Sequence, residues 1–132
     1  MKKLLTLSIF CLLTLTVFAQ ADTLRVLFLG NSYTQAYNLP QMVASLSAAS
    51  GTPMITDSNL PGGFTLSGHA ADATSLTKIR QGNWDYVVLQ EQSQVPTVDY
   101  YRYNLMYPGA QELHDSIALY NPCATLVTFM TW

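Results

Sequence analysis

Apolar residues along the chain fall into short unbroken runs separated by longer stretches at helical spacing. Val26 to Leu29 is apolar without alternation, the pattern of a strand covered on both faces. Gly30 ends that run and small polar residues follow. Leu39, Met42, Val43 and Leu46 then recur at helical spacing. With Pro40 in a first-turn position and Ser50-Gly51 as a stop, they predict a helix over 39–50. Pro53 to Ser58 predicts a second strand, followed by a Pro61-Gly62-Gly63 turn. Beyond Phe64 to His69, a helix is expected through about Arg80, closed by Gln81-Gly82-Asn83. Trp84 to Leu89 predicts the third strand, and Pro108 to about Tyr120 the third helix, which Asn121-Pro122 stops. Ala124 to Met130, rich in β-branched residues, predicts a fourth strand.

Strand and helix alternate, with no tandem repeat and no low-complexity linker. This order predicts an α/β domain with a mainly parallel sheet. Ligands and chemistry in such sheets gather at the carboxyl ends of the strands. The sequence stops at Trp132, just past a strand, so the domain is expected to continue beyond it.

Residues 1–21 read differently from the rest. Lys2 and Lys3 precede the mostly apolar Leu4 to Phe18, and Ala19-Gln20-Ala21 fits a small-residue cleavage site. This is the pattern of a secretory signal peptide, which leaves 22–132 as the domain. The apolar stretch is short beside the roughly 20 residues of a spanning helix. A secreted or periplasmic protein without stable membrane association after cleavage is expected. Over the whole chain, 49% hydrophobic and 11% charged residues fit a globular core and argue against disorder. After residue 21, Arg25, Lys78, Arg80 and Arg102 stand against 8 acidic residues. There is no basic run, so nucleic acid and anionic membrane surfaces are poor partners. Cys123 is the one cysteine of that part; it cannot form an intrachain disulfide, and its apolar surroundings predict a buried thiol.

Chemistry enters at Gly30-Asn31-Ser32, which falls in a strand-to-helix turn. A serine there is presented at the sheet rim beside backbone N–H groups, as a nucleophile with an oxyanion hole requires. Gly-Asn-Ser after a first strand resembles the opening block of the SGNH (GDSL-like) hydrolases. Gly62-Gly63-Phe64-Thr65-Leu66-Ser67-Gly68-His69 resembles their second block in a secreted branch of the superfamily. Leu89-Gln90-Glu91-Gln92-Ser93 stands at the third block, where Gln90 replaces the usual glycine and Gln92 the usual asparagine. The resemblance spans about Thr23 to Trp132. It implies a three-layer α/β/α, flavodoxin-like fold and hydrolysis of a carboxylic ester, often an O-acetyl group on a carbohydrate. It makes Ser32 the nucleophile, with the oxyanion held by Ser32, Gly63 and the Gln92 amide. Asn31, Glu91 and His69 are candidate substrate contacts, and for His69 a structural role is an equal reading.

The family's Asp-x-x-His block has no counterpart here, and the general base is expected beyond Trp132. His114 reads as a solvated helix histidine. Tyr33, Tyr37, Tyr100, Tyr101, Tyr103 and Tyr107 can stack on sugar rings or pack on helices. No phosphate-binding loop and no metal-spaced His/Cys/carboxylate cluster occurs, so no cofactor or metal is expected. Two other readings remain open: a non-catalytic glycan-binding module on the same fold, and a different hydrolase or transferase that uses Glu91.

Overall fold

The computed structural model describes residues 22–131, so the leader read over residues 1–21 lies outside the described residues. Four strands form one all-parallel sheet in the order β2-β1-β3-β4: β1 Leu24–Leu29, β2 Met54–Asn59, β3 Tyr86–Leu89 and β4 Thr125–Thr128. Leu29 pairs with Asn59 on one side and Leu89 on the other, and Leu89 with Thr128. The four strands therefore end at one level, and the loops that follow them share a rim.

Alternation along β1 sends side chains to two layers. Leu27 and Leu29, with Val87 and Leu89 of β3, face α3 (Leu66–Ala71), α4 (Ala73–Arg80) and α6 (Tyr107–Tyr120). They pack there with Leu66, Ile79, Trp84, Leu113 and Ile117, all nearly inaccessible. Burial of each such side chain contributes about 1.5–3 kcal/mol. Val26 and Phe28 point the other way, toward Leu39 and Val43 of α2 (Leu39–Ala49). The fold is thus a three-layer, flavodoxin-like α/β arrangement. On the α2 side, an apolar groove of about 470 Å³ runs on toward Tyr86, Val88, Val127 and Phe129.

Buried Asn121 ties the base of the helical layer together. Its side chain accepts from the Trp84 N–H and donates to the Ile79 carbonyl, joining the ends of α6 and α4 to the approach to β3.

Three features differ from the sequence expectation. The helix expected through Arg80 is two, because Asp72 is extended (φ −87, ψ 124) and its carboxylate caps α4 through the Ser75 N–H. Helical structure ahead of Pro108 begins already at Asp99. It runs through a short α5 (Asp99–Tyr101) and a π turn over Arg102–Met106 directly into α6. Pro108 lacks an N–H for the preceding turn, and the widened turn, closed by the Tyr107 N–H on the Arg102 carbonyl, absorbs that loss. Cys123 is exposed, since β4 starts only at Thr125 and the cysteine stays in the turn before it.

Gly109 sets the closest approach of α6 to α3. A Cβ there would lie 2.4 Å from the Ser67 backbone nitrogen. Alanine in a helix normally gains about 1 kcal/mol over glycine. Gly109→Ala is expected to reverse that sign and destabilise by about 1–3 kcal/mol. In urea unfolding the midpoint should fall with the slope unchanged.

Candidate active site

The site is assembled from the loops after β1, β2 and β3. Gly30 leaves β1 against Gln90, and a Cβ on it would stand 2.8 Å from both Gln90 Oε1 and Thr34 Oγ1. Only glycine lets the third loop come this close. Asn31 then caps α1 (Ser32–Gln35), its Oδ1 accepting from the Tyr33 N–H at 3.1 Å.

Asn31 is 1% exposed and does more than cap. Its Nδ2 donates to the Phe64 carbonyl in the second loop at 2.9 Å, and its backbone N–H donates to Gln90 Oε1 in the third loop at 2.9 Å. Gln90 Oε1 also accepts from Thr34 Oγ1 at 2.9 Å, while its Nε2 donates to the Glu91 carbonyl. Two donors at one end of the amide and an acceptor at the other fix which end is oxygen. Glu91 Oε1 in turn accepts from the Leu66 N–H at 3.2 Å and the Gln92 N–H at 2.6 Å, fastening the third loop to the start of α3. Burial pushes the Glu91 carboxyl above its ordinary range, against the pull of those two N–H groups.

His69 underlies the same turn. It is 0% exposed, and its Nε2 lies 2.8 Å from the Gly30 carbonyl oxygen. A carbonyl only accepts, so Nε2 carries a proton. Ser75 Oγ lies 2.7 Å from Nδ1 and 3.1 Å from Asp72 Oδ2, and with a neutral ring its single proton goes to Nδ1, the nearer acceptor. Ser75 Oγ and Asp72 Oδ2 both accept from Asn59 Nδ2 at 2.8 Å. The Phe64 ring meets the imidazole edge-on at 4.8 Å. Burial lowers the His69 pKa, opposed by the Gly30 carbonyl and the Asp72 charge. The Asp72 carboxyl is itself held below its ordinary range, mainly by the Ser75 N–H.

The residues singled out in the sequence fall into two groups. Ser32 is exposed at the first position of α1, where the helix supplies no acceptor for its N–H, and its hydroxyl makes no hydrogen bond among the described residues. Gly63 is exposed with φ +69, a conformation open to glycine at little cost. The half-buried Gln92 has its Oε1 occupied by the Gln94 and Val95 N–H groups, which turns its amide N–H₂ the other way. These three keep surface at the rim. Asn31 and His69, read as candidate substrate contacts, are instead buried among internal hydrogen bonds and scaffold the turn; Glu91 joins that network through Oε1, while its buried Oε2 has no hydrogen-bond partner among the described residues. For His69 the structural reading is the one that fits. His114 is exposed on α6 beside Asp115.

Sequence reasoning did not single out Thr34, Asn59, Asp72 or Ser75. Asp72-x-x-Ser75 carries a helix-capping pattern that marks the break between α3 and α4. Nothing local in the sequence ties Ser75 to His69. Among the described residues no three His, Cys, Asp or Glu side chains gather as a metal site, and no helix is long and apolar enough to cross a membrane.

No family of known proteins matches the chain. No curated protein matches it. Its fold is similar to the crystal structure of a DUF4886 family protein from Bacteroides uniformis, with a TM-score of 0.67 at 24% identity over 84% of this chain. The match covers 51% of that protein, so the chain spans about half its length.

Protonation of His69 predicts a pH dependence. Its folded pKa lies below the ordinary 6.5, so just below that pH the unfolded chain binds the proton and the folded chain does not. Stability should therefore fall as pH drops through 6.5 toward the folded value. His69→Gln keeps a donor for the Gly30 carbonyl and removes the titration. Urea unfolding at several pH values should show a shallower acid slope for this variant than for the wild type.

Proposed function

We propose that this chain carries the nucleophile side of a secreted serine esterase of the SGNH type, acting on carboxylic esters such as O-acetyl groups on carbohydrates. The supporting observation is the Gly30-Asn31-Ser32 turn itself. It lies at the carboxyl end of β1, which has a neighbour strand on each side, and it leaves Ser32 exposed on a base of buried hydrogen bonds.

In this reading Ser32 Oγ attacks the ester carbonyl and forms a tetrahedral intermediate. The Ser32 and Gly63 N–H groups and the Gln92 amide N–H₂ donate to its oxyanion. Collapse expels the alcohol and leaves an acyl-serine, which water hydrolyses to the free acid. Each lost donor costs about 3 kcal/mol of barrier. His69 is committed to Gly30 and Ser75 and is not free to take the Ser32 proton; the resemblance implies a separate histidine base for that step. The leader pattern over residues 1–21 supports the secreted part of the reading.

The carbohydrate part of the reading draws on Tyr37. It is 93% exposed in the loop after α1 and holds φ 53. A bulky residue in that region costs about 1–2 kcal/mol. A tyrosine kept there and turned outward suits a stacking platform for a sugar ring.

The test is hydrolysis of an aryl acetate and of an O-acetylated oligosaccharide by the native secreted protein and by Ser32→Ala. Loss of the nucleophile should lower kcat by at least about 10³-fold. Equal turnover by both proteins would remove Ser32 from the mechanism. Saturable glycan binding without turnover in either would favour the binding module.

A further inference from the structure

The peptide bond between Gly30 and Asn31 is gripped from both sides. Its carbonyl accepts from His69 Nε2 at 2.8 Å, and its N–H donates to Gln90 Oε1 at 2.9 Å. Both gripping side chains are 0% exposed. Each is held in turn: His69 by Ser75, and Gln90 by Thr34 and the Glu91 carbonyl. His69 comes from α3, which follows β2, and Gln90 from the loop after β3, so the plane is fixed by the β2 side and the β3 side together.

A peptide plane rotates through the ψ of the residue before it and the φ of the residue after it. Here the residue before it is glycine, the residue that resists such rotation least. Close packing against Gln90 and Thr34 forbids a Cβ that would stiffen it. The resistance has to come from outside the backbone. Burying an imidazole and a carboxamide costs free energy unless every polar atom is paired, and these two are paired onto one peptide.

We infer that His69 and Gln90 are positioning residues that lock the Gly30–Asn31 peptide plane and so set the direction of the Ser32 Oγ and N–H. The catalytic consequence rests on the esterase reading; the lock itself does not. Loss of the lock leaves Ser32 present and exposed but misdirected, which lowers kcat and spares substrate binding.

The experiment uses isotopically labelled full-length protein as wild type, His69→Leu, His69→Gln and Gln90→Leu. In the wild type, imidazole nitrogen shifts should report the tautomer protonated at Nε2, and the Asn31 amide should exchange slowly with solvent. In His69→Leu and Gln90→Leu that amide should exchange at least about tenfold faster, the worth of one hydrogen bond. His69→Gln, which still offers a donor to the Gly30 carbonyl, should restore most of the protection. On an aryl acetate, His69→Leu should lose about 10²-fold in kcat with KM unchanged, and His69→Gln should recover most of it. Unchanged Asn31 exchange in His69→Leu, or no recovery in His69→Gln, would overturn the lock. If a leucine variant does not fold, the tautomer in the wild type and the comparison of His69→Gln with the shorter His69→Asn decide the same point. If wild type and Ser32→Ala turn over equally, the esterase reading fails, and the exchange rates still judge the lock.

Discussion

The hydrogen bonds of Asn31 are the constraint from which the rest of the rim follows. One buried residue reaches the second loop through its Nδ2, the third loop through its N–H and its own helix through its Oδ1. Each bond is worth about 1 kcal/mol net, yet each buried polar atom left unpaired would cost about 1–3 kcal/mol. The loops after β1, β2 and β3 therefore form as a unit. Gly30 has to be glycine so that Gln90 can lie against it, and Gln90 has to be buried so that its amide can meet Asn31.

This layer divides the carboxyl end of the sheet into a dry floor and a wet edge. Asn31, Thr34, His69, Ser75, Gln90 and Glu91 form the floor, polar but nearly inaccessible. Ser32 and Gly63 stand on the edge with Gln92 half-buried beside them. A floor of this kind has little room to rearrange, because Asn31, Gln90 and His69 are each tied to two or more partners. Groups carried on it keep their directions without reorganisation, which is what electrostatic stabilisation of a reacting centre needs. The hydrophobic layer below supplies the rigidity, with Leu29 and Leu89 buried next to the turn they support.

Much of this was legible in the sequence. The unalternating Val26 to Leu29 run reads as a doubly covered strand, and Gly30 marks where it ends. The alternation of strands and helices gave the parallel sheet. What the sequence hid is non-local. His69 looks like one more residue of a glycine-rich loop, and its partners, the Gly30 carbonyl and Ser75, lie 39 and 6 residues away. Gln90 reads as a departure from a glycine pattern, while its role depends on a turn 59 residues earlier. The helix ahead of Pro108 was obscured by the proline, which the π turn accommodates.

The most direct test of the account is whether the serine at the top of this floor is a reactive nucleophile. An aryl fluorophosphonate, which phosphonylates activated serines and expels fluoride, would be added to the native full-length protein. Intact mass and peptide mapping would then be read. The account predicts one adduct, on Ser32, that forms in the folded protein and not after denaturation. A folded protein that takes no label, or takes it on another residue, would contradict the assignment of Ser32.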